Sequence, residues 1–263
     1  MRYAEFPPRE NLAGHVACVW LFEGEDAAED QRIAPDGCCE LVVHHGAPYL
    51  ERDSDGGLFR QPPAVFAGQL TRPLRLRAEG RVGVIGVRFL PAGAMGYAGP
   101  PVSRFTDRRA SLDELAGAGA ARTLAASLAD LDESGRLAAV QDHVADRIGA
   151  SPAPRDLAVE AAVARLQAGR PVAASRDLQR RFARAVGIPP RMLSAVLRFR
   201  RVFDALGEAD VDSWTAAAQA VGYFDHPQLA RDFRRFVGCT PSEFVAAQAG
   251  LASSLVEVAS IQA

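Results

Sequence analysis

The spacing of apolar positions changes once along this chain. Up to about residue 110, apolar residues come in short runs separated by turn signals, and beyond Ser111 they recur at helical spacing. The run His15–Phe22 (H-V-A-C-V-W-L-F) is continuous and suits a strand covered on both faces. Glu40–His44 is a second strand, Arg72–Ala78 alternates Leu74, Leu76 and Ala78 against Arg75 and Arg77, and Arg81–Leu90 is a strong last strand that Pro91 stops. Pro35-Asp36-Gly37, Gly46, Asp53–Gly57, Pro62-Pro63 and Glu79-Gly80 punctuate them. This part therefore predicts a small β-barrel or sandwich.

From Ser111 onward the period is that of helices. Ser111-Leu112-Asp113-Glu114 resembles a capping box, and Ala118–Leu131 and Gly135–Ile148 read as amphipathic helices broken at Asp132. Gly149–Pro154 reads as a linker. Asp156–Ala168 is a further helix with Val159, Ala162, Val163 and Leu166 on one face. The expected organisation is α+β: a β-rich domain over 1–110, which a resemblance given below makes sensor-like, a helical connector over 111–153, an all-α domain with two helix-turn-helix units over 154–247, and a tail over 248–263.

Two stretches of the helical half repeat one phrase: a small polar cap, a short helix with Leu and Phe four apart, a glycine, then a proline. Ser175 caps a helix with Leu178, Phe182 and Val186 on its apolar side, ending at Gly187 before Pro189-Pro190. Asp225 caps a helix with Leu229, Phe233 and Phe236 inside, followed by Gly238 and the capping box Thr240-Pro241-Ser242-Glu243. Between them Arg191–Leu206 forms a long helix, with Arg198, Arg200 and Arg201 expected largely outside. The outer face of the first short helix shows Arg176, Gln179 and Arg180. That of the second shows His226, Gln228, Arg231, Arg234 and Arg235. Glutamine can read adenine and arginine guanine, each through two hydrogen bonds.

Charge sharpens this reading. Residues 1–154 carry 16 Arg against 21 acids, whereas 155–247 carry 14 Arg against 10. Nine of those Arg fall within 170–206 against only Asp177 and Asp204, the footprint of a phosphate-binding surface. A single helix with a wet basic face is usually just a solvated face; two copies of the phrase flanking one long helix favour DNA recognition.

The C-terminal phrase, Gly222-Tyr223-Phe224-Asp225-His226-Pro227-Gln228-Leu229 through Phe236, then Gly238-Cys239-Thr240-Pro241-Ser242-Glu243-Phe244, resembles the signature of AraC/XylS-type transcriptional regulators. Leu178-Gln179-Arg180-Arg181-Phe182 with Gly187-Ile188-Pro189-Pro190 resembles that family's first recognition helix. The resemblance implies two helix-turn-helix units joined by a linker helix, each recognition helix entering a major groove. It places Arg176, Gln179 and Arg180, and His226, Gln228 and Arg231, toward bases, with Pro227 where the family often has a polar reader. It also implies double-stranded DNA as partner, a small effector or partner at the N-terminal domain, and a homodimer that can contact RNA polymerase. One departure stands out: Gly169–Ala174 is too short, and too rich in proline, to hold the helix that supports the first recognition helix. A second expectation follows, a regulator with impaired DNA binding that acts through protein contacts. The N-terminal half resembles, less specifically, the β-rich region of one subgroup, through Trp20, Pro35-Asp36-Gly37 with Glu40-Leu41, Gly68, and Phe89-Leu90-Pro91 with Gly93.

Other chemistries find little support. Cys18, Cys38, Cys39, His44 and His45 invite a metal, but neighbours on a strand point to opposite faces, so buried thiols and no metal are expected. The four cysteines lack C-x-x-C spacing, and no disulfide framework is expected. No nucleophile elbow, zinc-protease helix or phosphate-cradling loop occurs, so neither an enzyme nor a cofactor is expected. No apolar run reaches membrane-spanning length and the N-terminus lacks a signal-peptide core, so a cytoplasmic location without membrane attachment is expected.

Overall fold

The computed structural model describes residues 1–25, 30–53, 55–151, 155–173, 175–206 and 214–244. Ten strands form two antiparallel sheets. The larger orders β1 (Arg2–Phe6), β2 (Val16–Gly24), β9 (Val82–Phe89), β4 (Glu40–His44), β7 (Ala64–Ala67) and β10 (Arg109–Ser111). The smaller orders β3 (Gln31–Ile33), β8 (Leu74–Arg77), β5 (Leu50–Arg52) and β6 (Leu58–Arg60). The expected barrel or sandwich is thus present. The run at His15–Phe22 forms β2 with both faces covered, though unequally: Val16, Val19 and Leu21 are buried, Trp20 and Phe22 on the other face are half-buried, and Ala17 is exposed. A register shift between Val16 and Cys18 resets its alternation. It is β9 that is buried from end to end.

Strand alternation sorts the sheet's two faces. Leu41, Val43, Phe66, Ile85, Val87 and Phe89 join one core, which is closed by helices. Trp20, Phe22, Val42, Val82 and Val84 pack instead with Tyr49, Leu76 and Ala78. Between the sheets runs a buried polar chain. Arg109 closes on Glu51 (Nε to Oε2 3.0 Å), Gln61 donates to Glu51 (2.9 Å), and His44 meets Gln61 (3.2 Å).

The helices that cover the first core are α1 (Met95–Ala98), α2 (Leu112–Ala116), α3 (Ala120–Ala129) and α4 (Glu133–Gly149). Ala121, Leu124 and Leu128 of α3, and Val140 and Val144 of α4, are buried in it. The helices of residues 112–149, within the segment 111–153 expected as a connector, therefore pack against the N-terminal sheet with their amphipathic faces. Ser111 caps α2 through the Asp113 amide, and Asp132 caps α4 through the Gly135 amide, which explains the break between α3 and α4. Half of the linker, residues 152–154, lies outside the described residues, as does the whole tail over 248–263.

The C-terminal half contains α5 (Leu157–Gln167), α6 (Arg176–Val186), α7 (Pro190–Leu206), α8 (Trp214–Ala220) and α9 (His226–Phe236). Asp156, Ser175 and Asp225 each accept a hydrogen bond from an amide of the first turn they cap. The capping box after α9 forms in full: Thr240 Oγ1 accepts from the Glu243 amide (3.2 Å), and Glu243 accepts from the Thr240 amide (2.7 Å). Among the described residues of 168–175 there is no helix, so α6 follows α5 directly.

Candidate nucleic-acid interface

The second helical unit is built around α9. Leu229, Phe233 and Phe236 are fully buried against Val196, Phe199 and Val202 of α7 and Ala217 and Ala218 of α8. A polar clamp fixes the rotation of α9 on this core. Tyr223, in the turn before α9, donates its hydroxyl to Asp232 (2.8 Å), and Arg198 of α7 donates to the same carboxylate oxygen (3.0 Å). The Arg198 guanidinium also lies 4.4 Å above the Tyr223 ring. Arg198 was expected outside with Arg200 and Arg201; all three are half-buried instead. Arg200 donates to the Asp36 carbonyl (3.4 Å) and Arg201 to the Leu197 carbonyl (3.2 Å). The sequence shows that α7 is basic, but not that part of this charge is spent inside the protein.

With Asp232 turned inward, the opposite face of α9 presents Arg231, Arg234 and Arg235, all exposed, and His226 at its N-terminal end. Gln228 is placed differently from the others. Its Oε1 accepts from the Phe224 amide (3.0 Å) while its own amide donates to Asp225 (2.7 Å), a reciprocal lock on the turn. Phe224, at the tip of that turn, is 93 % exposed, an apolar side chain held in solvent by a fixed backbone. In the sequence Phe224 reads only as a turn residue, and no local pattern marks its exposure.

In the first unit, Arg176, Gln179 and Arg180 all lie on the exposed face of α6. Arg180 pairs with Asp177 (2.7 Å) in solvent. Arg181 is taken up by Asp156, the cap of α5, through two bonds of 2.8 and 2.5 Å, and this pairing holds the Asp156 carboxyl below its usual range. Gln179 lines a cleft of about 520 Å³ with Leu166, Pro171, Val172, Pro190 and Arg191. The inner face of α6 buries Phe182, Ala185 and Val186 with Val159, Val163 and Leu166 of α5 and Leu193 of α7.

Among the described residues the N-terminal body touches this half at several places. Thr106 donates its hydroxyl to the carbonyl of Gly187, the left-handed residue between α6 and α7 (2.6 Å). The turn Asp36-Gly37-Cys38 rests on α7: a Cβ on Gly37, whose φ is +85°, would lie 2.8 Å from Leu193 Cδ1. Arg32 of β3 donates to the carbonyl of Val237, at the C-terminal end of α9 (3.3 Å). Beneath the Gly37 turn, Arg88 pairs with Glu40 (2.9 Å) and Asp36 (3.4 Å). Burial pushes the Glu40 carboxyl up, with the Arg88 guanidinium pulling against it.

The cysteines separate as alternation requires. Cys39 is fully buried in the helix-covered core, whereas Cys38 lies beside Asp36, Arg88 and Arg200, where burial pushes its thiol up. Among the described residues, no group of three or more His, Cys, Asp or Glu is placed to hold a metal, and no helix is long and apolar enough to cross a membrane.

Two capped basic helices joined through one long helix, behind an antiparallel β domain, define a helix-turn-helix protein. A family described as a helix-turn-helix domain matches residues 155–247, and one described as a domain of unknown function matches residues 4–111. The two matches divide the chain between them, the first on its helical half and the second on its β-rich half. Solved structures of ToxT from Vibrio cholerae match the chain at low similarity. The chain is 11 % identical to an apo ToxT variant, with a TM-score of 0.45, over 87 % of this chain and 97 % of that one. It is 8 % identical to ToxT bound to an unsaturated fatty acid, with a TM-score of 0.43, over 86 % and 93 %. No curated protein matches the chain.

Proposed function

We propose that the chain is a sequence-specific, DNA-binding transcriptional regulator whose second unit carries most of the specificity. The observation that carries this reading is the face of α9: Arg231, Arg234 and Arg235 exposed side by side on a helix whose other face is sealed by Leu229, Phe233 and Phe236. A rigid basic helix with a fixed rotation is what major-groove entry requires. In this reading Arg231 faces base edges with His226, whereas Arg234 and Arg235 neutralise phosphates. Arg176, Gln179 and Arg180 add charge and some readout from the first unit. A small effector or partner at the N-terminal domain, a second copy of the chain and RNA polymerase complete the proposed set of partners.

The second reading, a regulator acting mainly through protein contacts, draws on α6, where Arg180 and Arg181 are neutralised by Asp177 and Asp156 within the chain. One experiment separates the two. Duplexes selected from random sequence on the full chain should converge on a motif, and affinity should fall steeply with salt as released counterions demand. Failure to enrich any motif, with binding insensitive to salt, would leave only the protein-contact reading.

A further inference from the structure

We infer that the N-terminal domain is a structural part of the first helix-turn-helix unit: the notch formed by Gln69, Val102 and Thr106 supports α6 where segment 169–173, which adds only Val172 to the same cluster, forms no helix. The bearing on DNA rests on the proposed function; the structural claim does not.

A recognition helix eleven residues long has little stability in water and stands only where its apolar face is covered. Helix α5 and the start of α7 cover part of that face. The remainder is met from the other domain. Ala92 and Met95 pack onto the same cluster as Phe182, Val186 and Ile188. At the end of α6, the space around Gly187 is bounded by Val102, Gln69 and Thr106, which lie 3.1, 3.3 and 3.5 Å from where its Cβ would stand. Thr106 then takes the Gly187 carbonyl as its acceptor.

The notch is itself rigid. Gln69 is fully buried; its Nε2 donates to the Gly37 carbonyl (2.7 Å), and its backbone carbonyl accepts from the Asp107 amide (2.8 Å). Asp107 binds both the amide and the hydroxyl of Thr71, each at 2.7 Å. Gln69 thereby joins the turn that rests on α7 to the notch that holds the end of α6. A shift of the N-terminal domain acts on both, so the placement of α6 relative to α9 is set in part from outside the helical half.

The test uses the full chain without DNA, so that it does not depend on DNA binding. Amide exchange is followed in 176–186 and in 82–89 for the parent and for Thr106→Lys, Thr106→Val and Thr106→Ser. We expect exchange in 176–186 to rise on the order of tenfold in Thr106→Lys, and by less in Thr106→Val, as a lost contact of this kind weakens local protection. Thr106→Ser, which keeps the hydroxyl, should match the parent, and 82–89 should stay protected throughout. Unchanged protection of 176–186 in Thr106→Lys overturns the inference, as does an equal rise in Thr106→Ser. Should Thr106→Lys also expose 82–89, Thr106→Val decides by the same comparison, because it adds no bulk. Binding of the selected duplex by the same variants, measured afterwards, tests the DNA reading separately.

Discussion

Asp232 sits on the basic helix α9 yet faces inward, where its Oδ2 accepts hydrogen bonds from both the Tyr223 hydroxyl (2.8 Å) and Arg198 (3.0 Å). The pairing sets which side of α9 is left to face outward. Truncating Asp232→Ala strands a half-buried guanidinium and should destabilise the chain by roughly 2–3 kcal/mol. Tyr223→Phe keeps the Arg198 bond and should cost about 1 kcal/mol. Urea unfolding followed at Trp214, which packs edge-on to Phe233, reads both.

Arg231→Ala should weaken the selected duplex by about 1–3 kcal/mol and relax sequence preference at one position. Arg234→Ala and Arg235→Ala should weaken all duplexes alike and flatten the salt dependence by roughly one counterion each. Affinities across a salt series, for selected and scrambled duplexes, distinguish the two patterns. A uniform loss for Arg231→Ala would remove it from the base-reading set.

Phe224→Ser should leave stability within about 0.5 kcal/mol, because the ring buries almost nothing. If the turn lies against DNA, as the position of His226 beside it requires, the same change should reduce duplex affinity. A melting curve and a titration together decide: lowered melting contradicts the exposure of the ring, and unchanged affinity takes the turn off the DNA.

Burial holds His44 neutral, with its imidazole pushed down to about 4 between Tyr49 and Gln61. Its folded value lies below its unfolded one, so its contribution is complete above about pH 6.5 and is lost as pH falls toward 4. Between pH 7 and 5 the loss from this group is roughly 1–2 kcal/mol. The melting temperature should fall across that window, and His44→Gln should flatten the fall while lowering stability at pH 7. An equal slope in the variant would assign the acid sensitivity elsewhere.

The helical half was largely legible in the sequence because helix ends carry local chemistry. Ser175, Asp225 and Thr240 each cap the amides that their spacing predicts, and Leu229, Phe233 and Phe236 are buried as their spacing requires. The N-terminal half was half legible. Strands of three residues, such as β3, β5, β6 and β10, are too short to show a period; β3 and β10 pair with strands far along the chain, while β5 and β6 pair with each other. The seam between the halves left almost no trace. Thr106 and Gly187, or Arg32 and Val237, meet through folding alone, and no local pattern announces such a pair. Its one written sign was Pro35-Asp36-Gly37, which read as a turn and proved to be the turn that lies on α7.

The shared cluster of Ala92 and Met95 with Phe182, Val186 and Ile188 bears on how such chains can be recombined. A crossover placed at Gly149–Pro154 looks clean on paper, since it divides the two matched regions. It would nonetheless leave both pieces with an unmatched half of one hydrophobic contact. Chimaeras that graft a foreign input domain onto residues 155–247 must therefore carry over the notch at Gln69, Val102 and Thr106, or redesign the face of α6 that meets it.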